Sequence, residues 1–418
     1  MEGIMTQAMK KTFGDMPKIM NLAGRTLFSM KESLDNIPIC RSLDHTMSLA
    51  LDEYVCQKLP VQELLEAIAM GLPIEIHGLL PGYLENASEE FGISCFSKVS
   101  WEYISTVKEF NNIRPLFYKT TRESEQSIFV VVPFGQDYIR HYATLIRHFI
   151  SMNTTNYKDR ISVTRYPQIE VSMSDITSLD GLIVQGGDTV VLGYASELRD
   201  FFRQRYGGPE SFFRNPYYTS QRFKLGKRVI NFLGVKYSYW GSISKGLVNR
   251  LCELGAREII YSAKLGTLGS ESEVYDRIFS PSSYFLFDHT LLKWSNKELC
   301  NPFLAYFPDY DSENHASVPT VLEETFVQRR CLEKFNIRTI DNEISQMAET
   351  TVNYNKINGS NITFFALHFA TDYLRKNQEK LATTSHDLSR NRTAEAAHHK
   401  EAMLGEIATL LGTYLEAT

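Results

Sequence analysis

The chain has 418 residues, with 44 Lys and Arg against 49 Asp and Glu, giving a formal net charge of −5. Hydrophobic residues make up 43% and charged residues 22%, the ordinary balance of a soluble globular protein. This length accommodates two or three domains, and the mild acidity excludes a general electrostatic pull toward nucleic acid or an anionic membrane.

Six cysteines, Cys40, Cys56, Cys95, Cys252, Cys300 and Cys331, are scattered without a CxxC pair, so neither a zinc ribbon nor a redox motif is expected. The start of the chain carries Lys10 and Lys11 but no apolar core of signal-peptide length, and no run approaches the length of a membrane span. A cytoplasmic protein is the expectation.

Residues 1–125 read as a mostly helical extension. Met47–Val55 is helix-like. Val61–Met70 places Val61, Leu64, Leu65 and Ile68 on one stripe, with Gly71 as a stop. Trp101–Phe110 is a further short helix candidate. The polar stretch Arg122–Ser127 is a candidate boundary, which makes residues 126–418 the second domain.

Beyond it, Ile128–Val132 reads as a buried strand, and Ile139, Tyr142, Leu145, Ile146 and Phe149 as the stripe of a following helix. Gly181–Val184 reads as a strand running into Gly186-Gly187-Asp188. Residues 200–222 mix Arg with Tyr and Phe, which suits a solvated helix and loop better than a nucleic-acid surface in an acidic chain. Lys227–Gly234 is a strand, Ile243–Leu254 a helix ended by Gly255, and Ala256–Leu268 a second strand running into a glycine loop. Thr393–Glu416 is a helix suited to covering a sheet face, and its adjacent His398 and His399 point in different directions and make no two-ligand metal site. Strands alternating with helices predict an α/β fold with a mainly parallel, three-layer sheet.

Two acids stand out near the end. Glu343 follows the strand-like Thr339–Asp341, and Asp372 ends the apolar run Thr363–Thr371. The mouth of an open α/β sheet, where such residues fall, is where ligands bind. Each acid also has a plain structural reading: Asp372 as a helix cap, Glu343 as a first-turn acid favoured by the helix dipole.

The segment Leu254-Gly255-Ala256-Arg257-Glu258-Ile259-Ile260, followed by Gly266-Thr267-Leu268, resembles the nucleoside phosphorylase and nucleosidase superfamily. Tyr217–Gly226 and Tyr275–Phe279 fall where that family has its preceding hairpin and next substrate-side segment. The resemblance covers about residues 210–418. It implies that Glu343, with Asn342 beside it, binds the ribose hydroxyls, and that Asp372 serves the purine N7 as an acid. Tyr261 and Lys264 would line the pocket near the nucleophile or a phosphate. It further implies a homo-oligomer, a nucleoside or nucleotide as partner, with phosphate as a possible co-substrate, and no metal or cofactor.

The chain departs from the family at the phosphate site. Tyr261 stands where the family carries an arginine, Lys264 where it has a small residue, and Gly234–Ser242 replaces a glycine-rich turn. Three readings follow: hydrolysis with water as nucleophile, an altered anion site for a 5′-phosphate, or lost catalysis that leaves a nucleotide-binding or scaffold protein. The resemblance together with the departures favours hydrolytic cleavage of the N-glycosidic bond of a purine nucleoside or nucleotide over phosphorolysis. Gly186-Gly187-Asp188 lacks the remaining glycines of a dinucleotide fingerprint.

Overall fold

A computed structural model describes residues 19–22, 25–28, 30–33, 51–80, 91–100, 109–154, 160–166, 177–296, 299–374 and 394–418. The chain divides into two compact units, one of residues 1–39, 55–104 and 113–172, the other of residues 40–54, 105–112 and 173–418. Of the expected elements, most of the helix candidate at 101–110 lies outside the described residues.

Strands β1 (Ile19–Leu22) and β2 (Arg25–Phe28) form a small antiparallel pair. The first unit's main sheet takes β3 (Met30–Glu32), β4 (Ile74–Gly78), β5 (Cys95–Lys98), β6 (Leu116–Arg122), β7 (Glu125–Val132) and β8 (Ile161–Arg165) in the order β3-β8-β4-β7-β6-β5. Its centre, β8-β4-β7, is parallel. Helices α1 (Leu51–Lys58) and α2 (Val61–Met70) precede β4, and α3 (Gln136–Asn153) follows β7. The α2 stripe ends at Gly71, whose φ of +67° is the left-handed value glycine adopts without a Cβ penalty. Ile128 to Val132 are buried without alternation because both faces of this central strand are covered.

The described residues before 126 are therefore mixed, with strands β3–β6 beside helices α1 and α2. The polar stretch Arg122–Ser127 is a hairpin: Arg122 pairs with Glu125, and Glu123 takes φ +50°. Polar composition marks a turn as readily as a linker.

The second unit holds β9 (Thr189–Gly193), α4 (Ala195–Tyr206), β10 (Ser211–Arg214), β11 (Tyr218–Leu225), β12 (Arg228–Val235), α5 (Ile243–Glu253) and β13 (Glu258–Thr267). It continues with β14 (Ile278–Phe279), β15 (Ser283–Asp288), β16 (Leu291–Asn296), β17 (Asn314–Ser317), α6 (Phe326–Lys334), β18 (Thr339–Asp341), α7 (Ile344–Asn358), β19 (Thr363–Tyr373) and α8 (Ala394–Ala417). Strands β12, β9, β13 and β19 run parallel, as do β15, β17 and β18. The two sets join where the end of β13 pairs antiparallel with β18.

Alternation along the strands explains the layers. Val191, Phe232, Ile260, Phe365 and Leu367 share one apolar cluster with Leu198 and Phe202 of α4 and Leu404, Ile407 and Leu411 of α8. Their neighbours in sequence, among them Val190, Leu233, Ile259 and Phe364, are equally buried. They face the other way, toward the side on which α5 and α7 pack together. Helices on both faces of a largely parallel sheet make this an α/β unit of three layers.

Two expected elements take another form. Gly181–Val184 is a turn, with the N–H groups of Ile183 and Val184 bonded to the Asp180 carbonyl; the strand begins after Gly187, at Thr189. A short apolar run carries no period that separates strand from turn. Asp372 lies within β19 rather than after it. Among the described residues there is no disulfide, and no helix is long and apolar enough to cross a membrane.

Candidate functional site

The C-terminal ends of the parallel strands converge on a buried polar cluster. β18 ends at Asp341 and α7 opens at Ile344, so Asn342 and Glu343 form the whole strand-to-helix connection. Asp341 accepts hydrogen bonds from the Ile344 N–H to both carboxylate oxygens, at 3.2 and 3.0 Å. The N-cap position itself is Glu343, which makes no side-chain cap bond, so Asp341, two residues earlier, satisfies one of the first helix N–H groups that lack intrahelical partners.

Asp341 carries further partners. His315 Nε2 lies 2.9 Å and the Ser317 hydroxyl 2.5 Å from its Oδ1, both from β17. His315 Nδ1 lies 2.8 Å from the Thr339 hydroxyl, which suits a ring that donates through Nε2 and accepts at Nδ1. Burial alone would push the Asp341 carboxyl up, but His315 and Ser317 outweigh it and hold the group below the usual carboxylate range.

Glu343 behaves oppositely. Burial, and after it the Asp341 carboxylate, push its carboxyl well above the usual range. The Asn342 backbone and the Lys264 ammonium pull it back only in part. Of the two adjacent acids, the half-buried Glu343 is the one pushed up and the buried Asp341 the one held down.

Two phenols and a second imidazole border the pair. Tyr261, in β13, has its ring 5.1 Å from His368 and 6.2 Å from Tyr239. Burial, then Glu343, raise the Tyr261 hydroxyl well above its ordinary value. Tyr239 is raised by burial and then by Glu343, with the Gly193 backbone and Tyr261 pulling it back only in part. Gly193 is needed where β9 lies against β13: at φ +90°, a Cβ there would lie 1.8 Å from the Ser262 carbonyl oxygen. His368 has 0% exposure and neither ring nitrogen has a hydrogen-bond partner. Burial pushes it down to about 3, against the opposing pull of Asp341. It is therefore a neutral ring.

The structure thus brings three of the five expected residues together: Glu343, Tyr261 and Lys264. Lys264 is exposed, yet close enough to act on Glu343. Asn342 adjoins them, but its side-chain amide donates to the Val318 carbonyl at 2.7 Å, which ties the connection to the end of β17. Asp372 belongs to another group. The register of β13 against β19 shifts after Leu265, so Asp372 pairs with Gly266. A Cβ on Gly266 would lie 2.9 Å from Asp372 Oδ2. Asp372 accepts from the Thr371 hydroxyl at 2.9 Å and raises the proton affinity of Glu324, a buried acid already pushed well up by burial and pulled back by Arg329.

Sequence reading missed Asp341, His315, Ser317 and His368. Only His368 carried a signal, as a polar residue in the apolar run of β19; β17 (Asn-His-Ala-Ser) and β18 (Thr-Ile-Asp) are short and mixed. Among the described residues no group of His, Cys, Asp and Glu is arranged to hold a metal ion.

No protein-family model matches the chain. It is 31% identical over 385 residues to a Cordyceps militaris protein named oxidoreductase cns1, covering 88% of this chain and 48% of that protein. The chain thus spans about half the length of the curated relative it matches. Among solved structures it is similar to the Campylobacter jejuni 5′-methylthioadenosine/S-adenosyl homocysteine nucleosidase, at 14% identity and a TM-score of 0.41 over 56% of this chain and 100% of that one. The Helicobacter pylori futalosine hydrolase gives 12% and 0.40 over the same shares. The Arabidopsis thaliana 5′-methylthioadenosine nucleosidase gives 11% and 0.39 over 55% of this chain and 94% of that one. At these TM-scores the likenesses carry no weight for activity.

Proposed function

We propose that the chain cleaves the N-glycosidic bond of a purine nucleoside or nucleotide, by hydrolysis in preference to phosphorolysis. The observation that carries this reading is the place of Glu343, in the two-residue connection between β18 and α7 at the C-terminal ends of parallel strands, next to the buried Asp341–His315 pair. The resemblance of Leu254–Ile260 and Gly266–Leu268 to the nucleosidase superfamily supports it.

In this reading Glu343 and Asn342 face the ribose hydroxyls. The bond between C1′ and the base nitrogen breaks, its electron pair leaves with the base, and Asp372 gives the base a proton at N7. Water adds to C1′ and loses a proton. General acid assistance of this kind is worth about 10²–10⁴-fold, and ribose contacts that hold the sugar in a reactive orientation add to it. Tyr261 in place of an arginine removes a phosphate cation, which favours water as nucleophile. A homo-oligomer is part of the same proposal.

A second reading comes from the name of the curated relative, an oxidoreductase. Both are tested by incubating the full chain with nucleosides and nucleotides, with and without phosphate, and separately with nicotinamide cofactors. Free base without phosphate, lost in Asp372→Asn, is the expected outcome. Base released only with phosphate would make it a phosphorylase. Cofactor turnover without base release would favour the second reading. No turnover, with nucleotide binding retained, would leave a binding or scaffold protein.

A further inference from the structure

The second unit's sheet ends on one side at β10, and among the described residues no strand pairs with its outer edge. Ser211 lies against Arg222, Phe212 against Gln221, Phe213 against Ser220 and Arg214 against Thr219. Just past the strand, the Asn215 N–H bonds to the Tyr218 carbonyl at 3.0 Å, in the same register. Bonded and unbonded pairs alternate along an antiparallel ladder. Counting back from Asn215, Phe213 and Ser211 direct their N–H and C=O groups to β11, and Phe212 and Arg214 turn theirs outward. The far side of β11 agrees: the Lys236 N–H bonds to the Tyr217 carbonyl at 2.9 Å, which leaves Tyr218 and Ser220 to face β10.

This edge is open. Ser211 and Arg214 are exposed, and the Phe212 side chain is 59% exposed. The sheet's other edge differs. There β16 bulges at Lys293, since Leu286 pairs with Trp294 but Phe287 with Leu292. Bulges and edge lysines blunt a strand against pairing, whereas β10 runs its four residues without a bulge.

We propose that β10 is a homodimer contact: two copies of the chain join these edges antiparallel about a twofold axis and make one continuous sheet. Outward groups of one strand must meet outward groups of the other, which leaves three twofold registers. Centring on Arg214 sets like charges opposite each other, which is destabilising. Centring on Phe212 relies on Glu210, whose N–H already bonds to the Arg222 carbonyl at 2.7 Å. Centring on Phe213 places each Phe212 opposite the second copy's Arg214, and both pairs exchange N–H···O bonds in both directions. Every outward backbone group of β10 is then satisfied.

The side chains suit that register and select a second copy over an unrelated strand. Phe212 and Arg214 share one face of the strand, so each guanidinium meets the second copy's exposed Phe212 ring in a cation–π contact. The two Phe213 rings meet on the other face, at the unbonded position where opposed side chains come nearest. Two four-residue strands alone bury less than the about 1,200 Å² of a stable interface, so this dimer should dissociate on dilution. The contact gives the homo-oligomer of the reading above a surface, and it does not depend on the chemistry of that reading.

Sedimentation of the full chain over a concentration series tests this without reference to turnover. The wild type should pass from monomer to dimer as concentration rises. Phe212→Pro removes an outward N–H and leaves the bonds to β11 in place, as proline does on edge strands. It should weaken the dimer about tenfold or more. The register is read separately. Under mild oxidation, Phe213→Cys should link two copies through residue 213, identified by mass spectrometry of the linked peptide, because an unbonded pair lies within disulfide reach. Ser211→Cys, far from its own copy in this register, should not link. A wild-type monomer at every concentration would overturn the proposal, and protection of its β10 amides by an added extended peptide would assign the edge to another partner. A dimer undiminished in Phe212→Pro would also overturn it, leaving a homo-oligomer through another surface. Should that variant not fold, the Phe213→Cys link decides, and its absence from a dimeric chain overturns the proposal.

Discussion

Asp341 accepts from His315 Nε2 at 2.9 Å, and from the Ser317 hydroxyl and the Ile344 N–H besides, while its charge pushes up the neighbouring Glu343 carboxyl. The carboxylate with the larger set of donors keeps the charge, and its neighbour keeps the proton. Glu343 therefore favours the protonated form in the folded chain. Ligand affinity that depends on this proton should be full at acidic pH and fall as pH rises through the raised Glu343 titration. Glu343→Gln, a permanent neutral donor, should flatten that alkaline fall, whereas Glu343→Ala should lose affinity at every pH. Calorimetric titration of a bound nucleotide across pH checks both.

His368 holds two unsatisfied buried nitrogens. Leaving such groups unpaired costs about 1–3 kcal/mol. His368→Leu should stabilise the second unit by about 1 kcal/mol, once imperfect packing of the new side chain is set against that gain. It should also reduce turnover or ligand affinity. Urea midpoints paired with activity measure the two effects, and a loss of stability would show that the ring is satisfied in solution.

Glu75 lies 2.7 Å from Arg122 and 3.8 Å from His77. Burial pushes it up, but His77 and Arg122 outweigh this and bring it down to about 2. An acid lowered on folding stabilises above its unfolded value and loses that contribution as pH falls through the folded one. The first unit should thus weaken between about pH 4 and pH 2, by roughly 2–3 kcal/mol from this group. Glu75→Gln should be less stable at neutral pH and show a flatter acid limb in pH-dependent unfolding.

At the opposite end of the sheet, Glu258 accepts from Tyr414 at 2.6 Å, Thr363 at 3.1 Å and Arg228 at 3.2 Å. This joins the first residues of three strands to the last turns of α8. Glu258→Ala would leave Arg228 buried beside an empty place, a loss of about 3–5 kcal/mol. Tyr414→Phe removes one bond to a charged group and should cost about 1.5–3 kcal/mol. Denaturant unfolding of both variants should rank them in that order, with the nucleotide-binding constant of Tyr414→Phe unchanged.

The sequence by itself determined the α/β character of the second unit, the β12–α5–β13 crossover with its Gly255 stop, and the placement of Glu343 at a helix start. Those features follow from local rules: the two hydrophobic periods, and the freedom of glycine at positive φ. Tertiary structure decided the rest. That Arg122–Ser127 turns a hairpin depends on pairing with a strand, which polar composition does not reveal. That Asp372 lies inside β19 beside Glu324 depends on a register shift opposite Leu265 and Gly266. The pairing of Asp341 with His315 joins residues 26 positions apart on neighbouring parallel strands. Which acid holds the proton is set by burial and by donors that converge only in the folded chain, and spacing along a sequence carries neither quantity.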